Sequence, residues 1–546
     1  MKRPILMLAL MLAPLCASVP PSRAADPAAI TPVIEVKLQS IDQMLGYAKY
    51  VGGVFGQEEE FEQYANAVKA FAGKKGLEGF DTKRPSGLYS GITKDVIDSP
   101  VVLLLPVVDE KAVLALLKDK ANLKLSKDGE VYETTIPKVP TPVFMKFSDG
   151  YLHVTVGNKA TLDRVLDPKT FFAESASITG STLASVAVHL DRIPADVKKV
   201  VLGQVEFQMQ KQKDQLKKDE PSAAKRAING YALDAAPAFL KTVLDDGQSL
   251  SVAFNLEPSR DDVSLVVKLT PKPRSALAAS MERAGQKVSV TSGRMTGVSP
   301  ILAATVNIAL TDKWKDKLVP VVDDILNEAD SNVDPAFGEF LKKMLAGVEP
   351  TMKSGDIDLA LMLSAQSEEG KQQLHGFIKT KKIIDLVEAY KDFAKILPAS
   401  IIESKFETAK VNDLSIHSLT FHENPEKLEH LFNSKTMYLG VRDDLFSFGF
   451  EPEGKTLKTA LAATPGSKSV ASFEVAVARF MLMIADNPDK KSRFEKKIKE
   501  IYGSSDTKNA DTVKLDITSG DSVTIRLTTK GKTLRVFQAI DQINKE

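Results

Sequence analysis

Repetition is the feature that most constrains what this chain can become. Residues 33–285 and 300–546 read as two copies of one layout, in which helices alternate with β-hairpins and nearly every hairpin runs at once into a short amphipathic helix. Three strand openings rhyme: Leu183-Ala184-Ser185-Val186, Leu302-Ala303-Ala304-Thr305 and Val470-Ala471-Ser472-Phe473. The expected boundaries follow from this. Residues 26–285 form a first half, 286–299 a linker rich in Gly, Ser and Thr, and 300–546 a second half. Such a chain is expected to be α+β, with mostly antiparallel sheets, helices packed on one face, and two tandem related halves.

The local grammar shows why. Val33 to Leu38 alternates as a strand, and Ser40-Ile41-Asp42-Gln43 is a capping-box pattern. Ile41, Leu45, Ala48, Val51 and Phe55 then share one helical face, and a second helix is expected over 58–74. Val101 to Val108 is a near-continuous apolar run, expected as a buried strand, after which Asp109 caps a helix carrying Val113, Leu116 and Leu117. Further strands are expected at 131–136, 143–147 and 151–156, with Ser148-Asp149-Gly150 as a hairpin turn. A long helix is expected from Pro194, and a single helix running to about Tyr502 follows the strand at 470–477.

The first 25 residues read as a signal peptide. Lys2 and Arg3 make its positive start, and Ile5 to Leu15 is an apolar run too short to cross a bilayer. Ser22-Arg23-Ala24 supplies small residues for cleavage, with the cut expected after Ala24 or Ala25. Leu15 stands where lipidation of Cys16 would want a small residue. Cys16 is the only cysteine and leaves with the signal, so the mature chain is expected to hold no disulfide, thiol nucleophile or thiolate metal site. Removing Lys2, Arg3 and Arg23 leaves 69 basic against 71 acidic residues, a balance with no field for nucleic acid. No later stretch has the length and apolarity of a transmembrane helix. The expected location is the periplasm or the exterior.

One motif demands an answer. Gly449-Phe450-Glu451-Pro452-Glu453-Gly454-Lys455-Thr456 fits the G-x-x-x-x-G-K-[ST] pattern of a phosphate-binding loop, after a strand and before a helix. Against that, Gly531-Lys532-Thr533-Leu534 repeats Gly454-Lys455-Thr456-Leu457 at a second hairpin–helix junction with Arg526 in the place of the first glycine. Glu451 and Glu453 would oppose a polyphosphate, and the preceding strand belongs to a hairpin rather than a parallel unit. The loop is expected to bind no nucleotide: Gly454 bends the chain, Lys455 meets solvent or an acid, and Thr456 enters the helix.

Other constellations are weaker. Of the six histidines, His417, His422 and His430 lie nearest one another, with Glu423 and Glu426. His417 and His422 are five apart on an expected strand and so point to opposite faces, which suits surface histidines better than zinc ligands. Gly87-Leu88-Tyr89-Ser90-Gly91 misplaces the serine of a nucleophile elbow by one residue. Asp261-Asp262 and Asp443-Asp444 fall in hairpin turns, where Asp is at home. Trp314 sits on an apolar helix face and reads as core rather than sugar platform. No catalytic residue, cofactor site or metal site is assigned.

Ser99 to Asp109 before a helix, then Pro142 to Tyr151 leading to Asn158-Lys159-Ala160, resemble words found in large uncharacterised exported repeat proteins of planctomycete-type bacteria. The resemblance covers about 130 residues within the first half; the second half keeps only the pattern. It implies an exported repeat protein and lends no activity. The expected function is that of an exported, non-catalytic binding or scaffolding protein, including a carrier of apolar ligands, with an envelope component or an apolar molecule as partner. The alternative is an extracytoplasmic hydrolase whose site is assembled from scattered residues.

Overall fold

In a computed structural model, residues 31–545 are described apart from single positions and short stretches, the longest being 67–76, 94–98, 174–180, 325–342, 366–371 and 382–386. The signal peptide with Ala24 and Ala25, most of the helix expected over 58–74, and Trp314 lie outside the described residues.

Among the described residues, ten strands precede residue 272: β1 (Ile34–Leu38), β2 (Ser86–Ser90), β3 (Val101–Pro106), β4 (Ser126–Asp128), β5 (Val131–Thr134), β6 (Val143–Ser148), β7 (Tyr151–Val156), β8 (Thr182–His189), β9 (Gly247–Glu257) and β10 (Asp262–Pro271). They pair in the order β4-β5-β6-β7-β3-β2-β1-β8-β9-β10. Between and after them lie α1 (Ile41–Val54), α2 (Glu110–Asp119), α3 (Pro168–Ala173), α4 (Ala195–Asp219), α5 (Ala223–Asp246) and α6 (Ala276–Gln286). The later strands are β11 (Pro300–Ala309), β12 (Asp356–Ala365), β13 (Gln372–Lys379), β14 (Ile402–Val411), β15 (Leu414–Phe421), β16 (Thr436–Arg442), β17 (Leu445–Phe450), β18 (Ala471–Ala476), β19 (Thr512–Thr518) and β20 (Val523–Lys530). Their order is β14-β15-β16-β17-β13-β12-β11-β18-β19-β20. With them come α7 (Pro425–Phe432), α8 (Lys455–Ala462), α9 (Val477–Ile484), α10 (Pro488–Tyr502) and α11 (Gly531–Lys545). The protein is therefore α+β, with extensive antiparallel sheet.

Turn and cap chemistry explains many of the boundaries. Asp149 and Gly150 both take positive φ, 54° and 72°, the conformation a two-residue hairpin turn needs. Ser275 caps α6 by accepting from the Ala278 N–H at 3.1 Å, and the Asp109 carboxylate accepts from the first amides of α2. The helix expected to run to Tyr502 is two helices. Asn487 caps α10 through the Lys490 N–H and Pro488 opens it, which ends α9 at Ile484.

The chain divides into two compact units. Unit 1 comprises Met1–Val201, Gly247–Thr270 and Thr528–Glu546; unit 2 comprises Leu202–Asp246 and Pro271–Leu527. Thus α11, read from sequence as the end of the second half, belongs to unit 1, while α6, read as the end of the first, belongs to unit 2.

In unit 1, helices cover both faces of the sheet, not the one face expected. Val113 of α2 clusters with Leu152 and Val154, whereas Phe171 of α3 clusters with Tyr89, Leu104 and Tyr151. Tyr151 and Leu152 are adjacent on β7 and so face opposite ways. In unit 2 the core gathers Phe377, Ile416 and Leu445 against Leu457, Ala460 and Leu461 of α8.

The stretch read as a linker is tied down within unit 2. The buried Asp358 carboxylate accepts from Ser289 Oγ at 2.7 Å, the Val290 N–H at 2.6 Å and Thr291 Oγ1 at 2.5 Å. Arg294 Nη1 donates to the Leu461 carbonyl at 2.9 Å, at the C-terminal end of α8.

Candidate functional site

The phosphate-loop motif resolves into a closed electrostatic clasp in unit 2. Gly454 adopts φ 67°, the left-handed conformation that bends β17 into α8. The buried Glu451 side chain turns back onto the start of that helix. Its Oε2 accepts from the Thr456 N–H at 2.8 Å and its Oε1 from the Leu457 N–H at 2.7 Å. Helix-start amides attract anions, and here the chain supplies its own. His375, fully buried on β13, brings Nε2 to 3.3 Å from the same Oε1. Burial pushes the Glu451 carboxyl upward, but the His375 bond and the two amides outweigh it and hold it below the usual range. Gly449 lets His375 approach, since a Cβ there would sit 2.8 Å from its ring. Lys455 points away and pairs with exposed Glu453 at 2.5 Å. Thr456 lies in the first turn and its hydroxyl meets Gln373 at 3.1 Å.

The second junction uses another acid to the same end. In unit 1, Asp261 sits in the β9–β10 turn at φ 57°, and its Oδ2 accepts from the Lys532 N–H at 3.0 Å at the start of α11. Its Oδ1 accepts from Tyr50 Oη at 3.1 Å. Burial, with the Asp261 charge and bond, pushes the Tyr50 phenol upward.

The histidines are structural rather than clustered. His417 is buried, which corrects the expectation of a surface residue. Its Nδ1 accepts from the Glu407 N–H at 3.0 Å, where β14 bulges and Glu407 takes φ 53°. His422 is half-exposed, 3.7 Å from Glu403, and the His430 side chain lies outside the described residues. His153 is fully buried with neither ring nitrogen bonded, and burial lowers its pKa to about 4. His189 and Lys37 each lie 2.9 Å from Glu35 on β1. Burial raises the Glu35 carboxyl, but these two partners prevail and bring it to about 2. Ser90, the serine of the misplaced elbow, closes β2 and donates to the Gly91 carbonyl rather than to a histidine. Among the described residues, no three His, Cys, Asp or Glu side chains converge on a metal position, and no helix is long and apolar enough to cross a membrane.

What the polar groups leave open is apolar. In unit 1, the register aligns Val36, Val186 and Val252 across β1, β8 and β9, flanked by the rows Ile34–Val188–Leu250 and Leu38–Ala184–Phe254. Asn255 Nδ2 donates to Ser264 Oγ, so Leu265 lies on the opposite face of the sheet, with Phe254. Val186 and Leu265 are each 38% exposed. In unit 2, Ala304, Phe473 and Leu515 align across β11, β18 and β19, beside Leu302–Val475–Val513. Phe473 is 40% exposed.

No family model, curated protein or solved structure matches this chain.

Chemically, the polar clusters are matched acids, bases and amides that close on themselves. The sheet faces offer apolar surface. Sequence reasoning singled out Val186 and Phe473 as the fourth residues of two rhyming strand openings, yet gave no sign that they face solvent, because apolar alternation usually marks a covered face. It passed over Glu35, Lys37 and His189. A period-two alternation with charged residues on the inner face was the available signal, visible in Ile34-Glu35-Val36-Lys37-Leu38.

Proposed function

We propose that this is an exported, non-catalytic binding protein built from two tandem copies of one α+β layout, and that its apolar sheet faces take an apolar ligand or the apolar surface of an envelope partner. The observation that carries the binding reading is the pair Val186 and Phe473, large apolar side chains more than a third exposed on β8 and β18. An exposed apolar patch on a folded sheet marks an interaction site. The tandem reading is supported by strand order. Adding ten to each label in the series from β4 to β10 gives the series from β14 to β20. The resemblance to exported repeat proteins agrees with it, and the signal-like residues 1–25 support export.

The test is native mass spectrometry of mature protein purified from its own envelope, compared with the Val186→Glu and Phe473→Glu variants. A bound apolar molecule or partner that is lost from a variant with unchanged circular dichroism is expected. Full retention by both folded variants, or an unliganded protein that also fails to bind a fluorescent fatty acid, would reject the proposal.

A further inference from the structure

The Asp358 cluster of unit 2 leaves buried oxygens unpaired. β11 and β12 set Asn307 and Asp358 directly opposite each other, on one face of the sheet. Both are buried. Residues 287–292 cross above them. The Lys287 carbonyl accepts from Asn307 Nδ2 at 3.0 Å, and Ser289, Val290 and Thr291 donate to Asp358. The Ser292 N–H then donates to Ser289 Oγ at 2.8 Å.

Two oxygens here have no hydrogen-bond partner. They are Asn307 Oδ1 and Ser292 Oγ, on residues only 2% and 5% exposed. The Asn307 amide cannot be turned to relieve this, because the Lys287 carbonyl needs its N–H. Its oxygen is the other branch of that amide, left beneath the same crossing segment. Buried acceptors without a partner are costly and call for an explanation.

Asp358 adds a buried negative charge, and its bonds all come from neutral donors. The cations of the crossing segment are engaged elsewhere. Lys287 Nζ pairs with Asp356 at 2.6 Å and donates to the Ile308 and Ile357 carbonyls. Arg294 is held one peptide away, with Nε on the Val290 carbonyl at 2.7 Å and Nη1 at the end of α8.

We infer that this cluster is a site for one sodium ion, held by the Asp358 carboxylate, Asn307 Oδ1 and the hydroxyls of Thr291 and Ser292. The donors select the ion. All are hard oxygens, which suit alkali and alkaline-earth cations rather than zinc or copper. One carboxylate balances one positive charge. A divalent ion brings a larger dehydration penalty into a buried site and finds a single carboxylate to offset it. Thr291 Oγ1 lies 2.5 Å from Asp358 Oδ1, an edge that suits sodium better than the larger potassium. The Thr291 hydroxyl keeps its proton on Asp358 and turns a lone pair to the ion. Ser289 is not a ligand, since its oxygen already accepts from the Thr291 and Ser292 amides.

The test is urea unfolding of the full mature chain, followed by circular dichroism, in sodium, potassium or choline chloride at equal ionic strength, with calcium chloride as a further arm. Sodium is expected to raise the midpoint above the other salts. The folding equilibrium constant should climb no more steeply than in proportion to sodium concentration, as one site requires. Ser292→Ala removes an oxygen with no hydrogen-bond partner. It should raise the sodium concentration of half-effect by at least about tenfold. Asn307→Leu should abolish the response; if that variant fails to fold, the Ser292→Ala titration still decides. Equal midpoints in sodium and choline, or a sodium response unchanged in Ser292→Ala, overturn the inference. So does a saturable response to calcium that exceeds the one to sodium, which would give the site to a divalent ion.

Discussion

His153 offers a direct reading of what burial without a partner costs. It lies on β7 between Leu104 and Lys146, fully buried, with Nδ1 and Nε2 both unbonded. Burial in the unit 1 core lowers its pKa from 6.5 to about 4. The folded state thus refuses a proton that the unfolded chain accepts. The associated stability is fully present above pH 6.5 and is lost as the pH falls toward 4. At about 1.4 kcal/mol per pH unit, the whole window is worth about 3 kcal/mol, and about 2 kcal/mol has gone by pH 5. His153→Leu removes the titration while filling similar space. Replacing an unbonded buried polar group by an apolar one of similar shape is close to neutral or stabilising. Urea unfolding followed by circular dichroism should therefore place the variant at or slightly above the wild type at pH 7.5. At pH 5 it should lead by a further 2 kcal/mol or so. Carboxylates and His417 titrate in both proteins, so the difference between them isolates His153. A gap that is the same at pH 7.5 and pH 5 would refute the argument, since His153 would then hold its proton equally well folded and unfolded.

Three further outcomes are expected. Glu451→Ala should cost about 3 kcal/mol by urea unfolding, because it uncaps α8 and strips the buried His375 of its partner, whereas Lys455→Ala should leave the midpoint unmoved and calorimetry should detect no ATP binding to either protein. Asp358→Ala should cost about 3 kcal/mol and expose the chain near Arg294 to trypsin, since three donors from Ser289, Val290 and Thr291 lose one acceptor. N-terminal sequencing of exported protein should begin at Ala25 or Asp26, and a retained Met1 would contradict the signal reading.

Local chemistry was legible because it depends on residues close in sequence. The Asp149-Gly150 turn, the Asp109 cap and the Gly454 bend are all short-range events, and each stands where the sequence puts it. Long-range pairing was not legible. Glu451 was read as a charge that would oppose an anion, whereas its carboxylate turns back and accepts from the amides at the helix start. His417 was placed on the surface because alternation cannot register the bulge opposite it, which draws its ring onto the Glu407 amide. The 287–294 stretch has linker composition, yet Asp358, some 70 residues on, collects its hydroxyls and amide. The break before α10 was readable, since Asn487-Pro488 is a helix-start signal inside an otherwise helical run.

The membership of α11 bears on how the chain reaches its fold. Residues 528–546 complete a unit that begins near residue 31, with Asp261 and Tyr50 gripping the start of the last helix. Unit 2, whose residues all lie between 202 and 527, has its whole sequence available earlier in synthesis. The N-terminal unit is thus the one whose closure must wait for the C-terminal residues, across the longest loop in the chain. A fusion or truncation at the C-terminal end is, in folding terms, an injury to the N-terminal unit. It should show itself as slow or incomplete burial around β1 and α1 while the core of unit 2 forms on schedule.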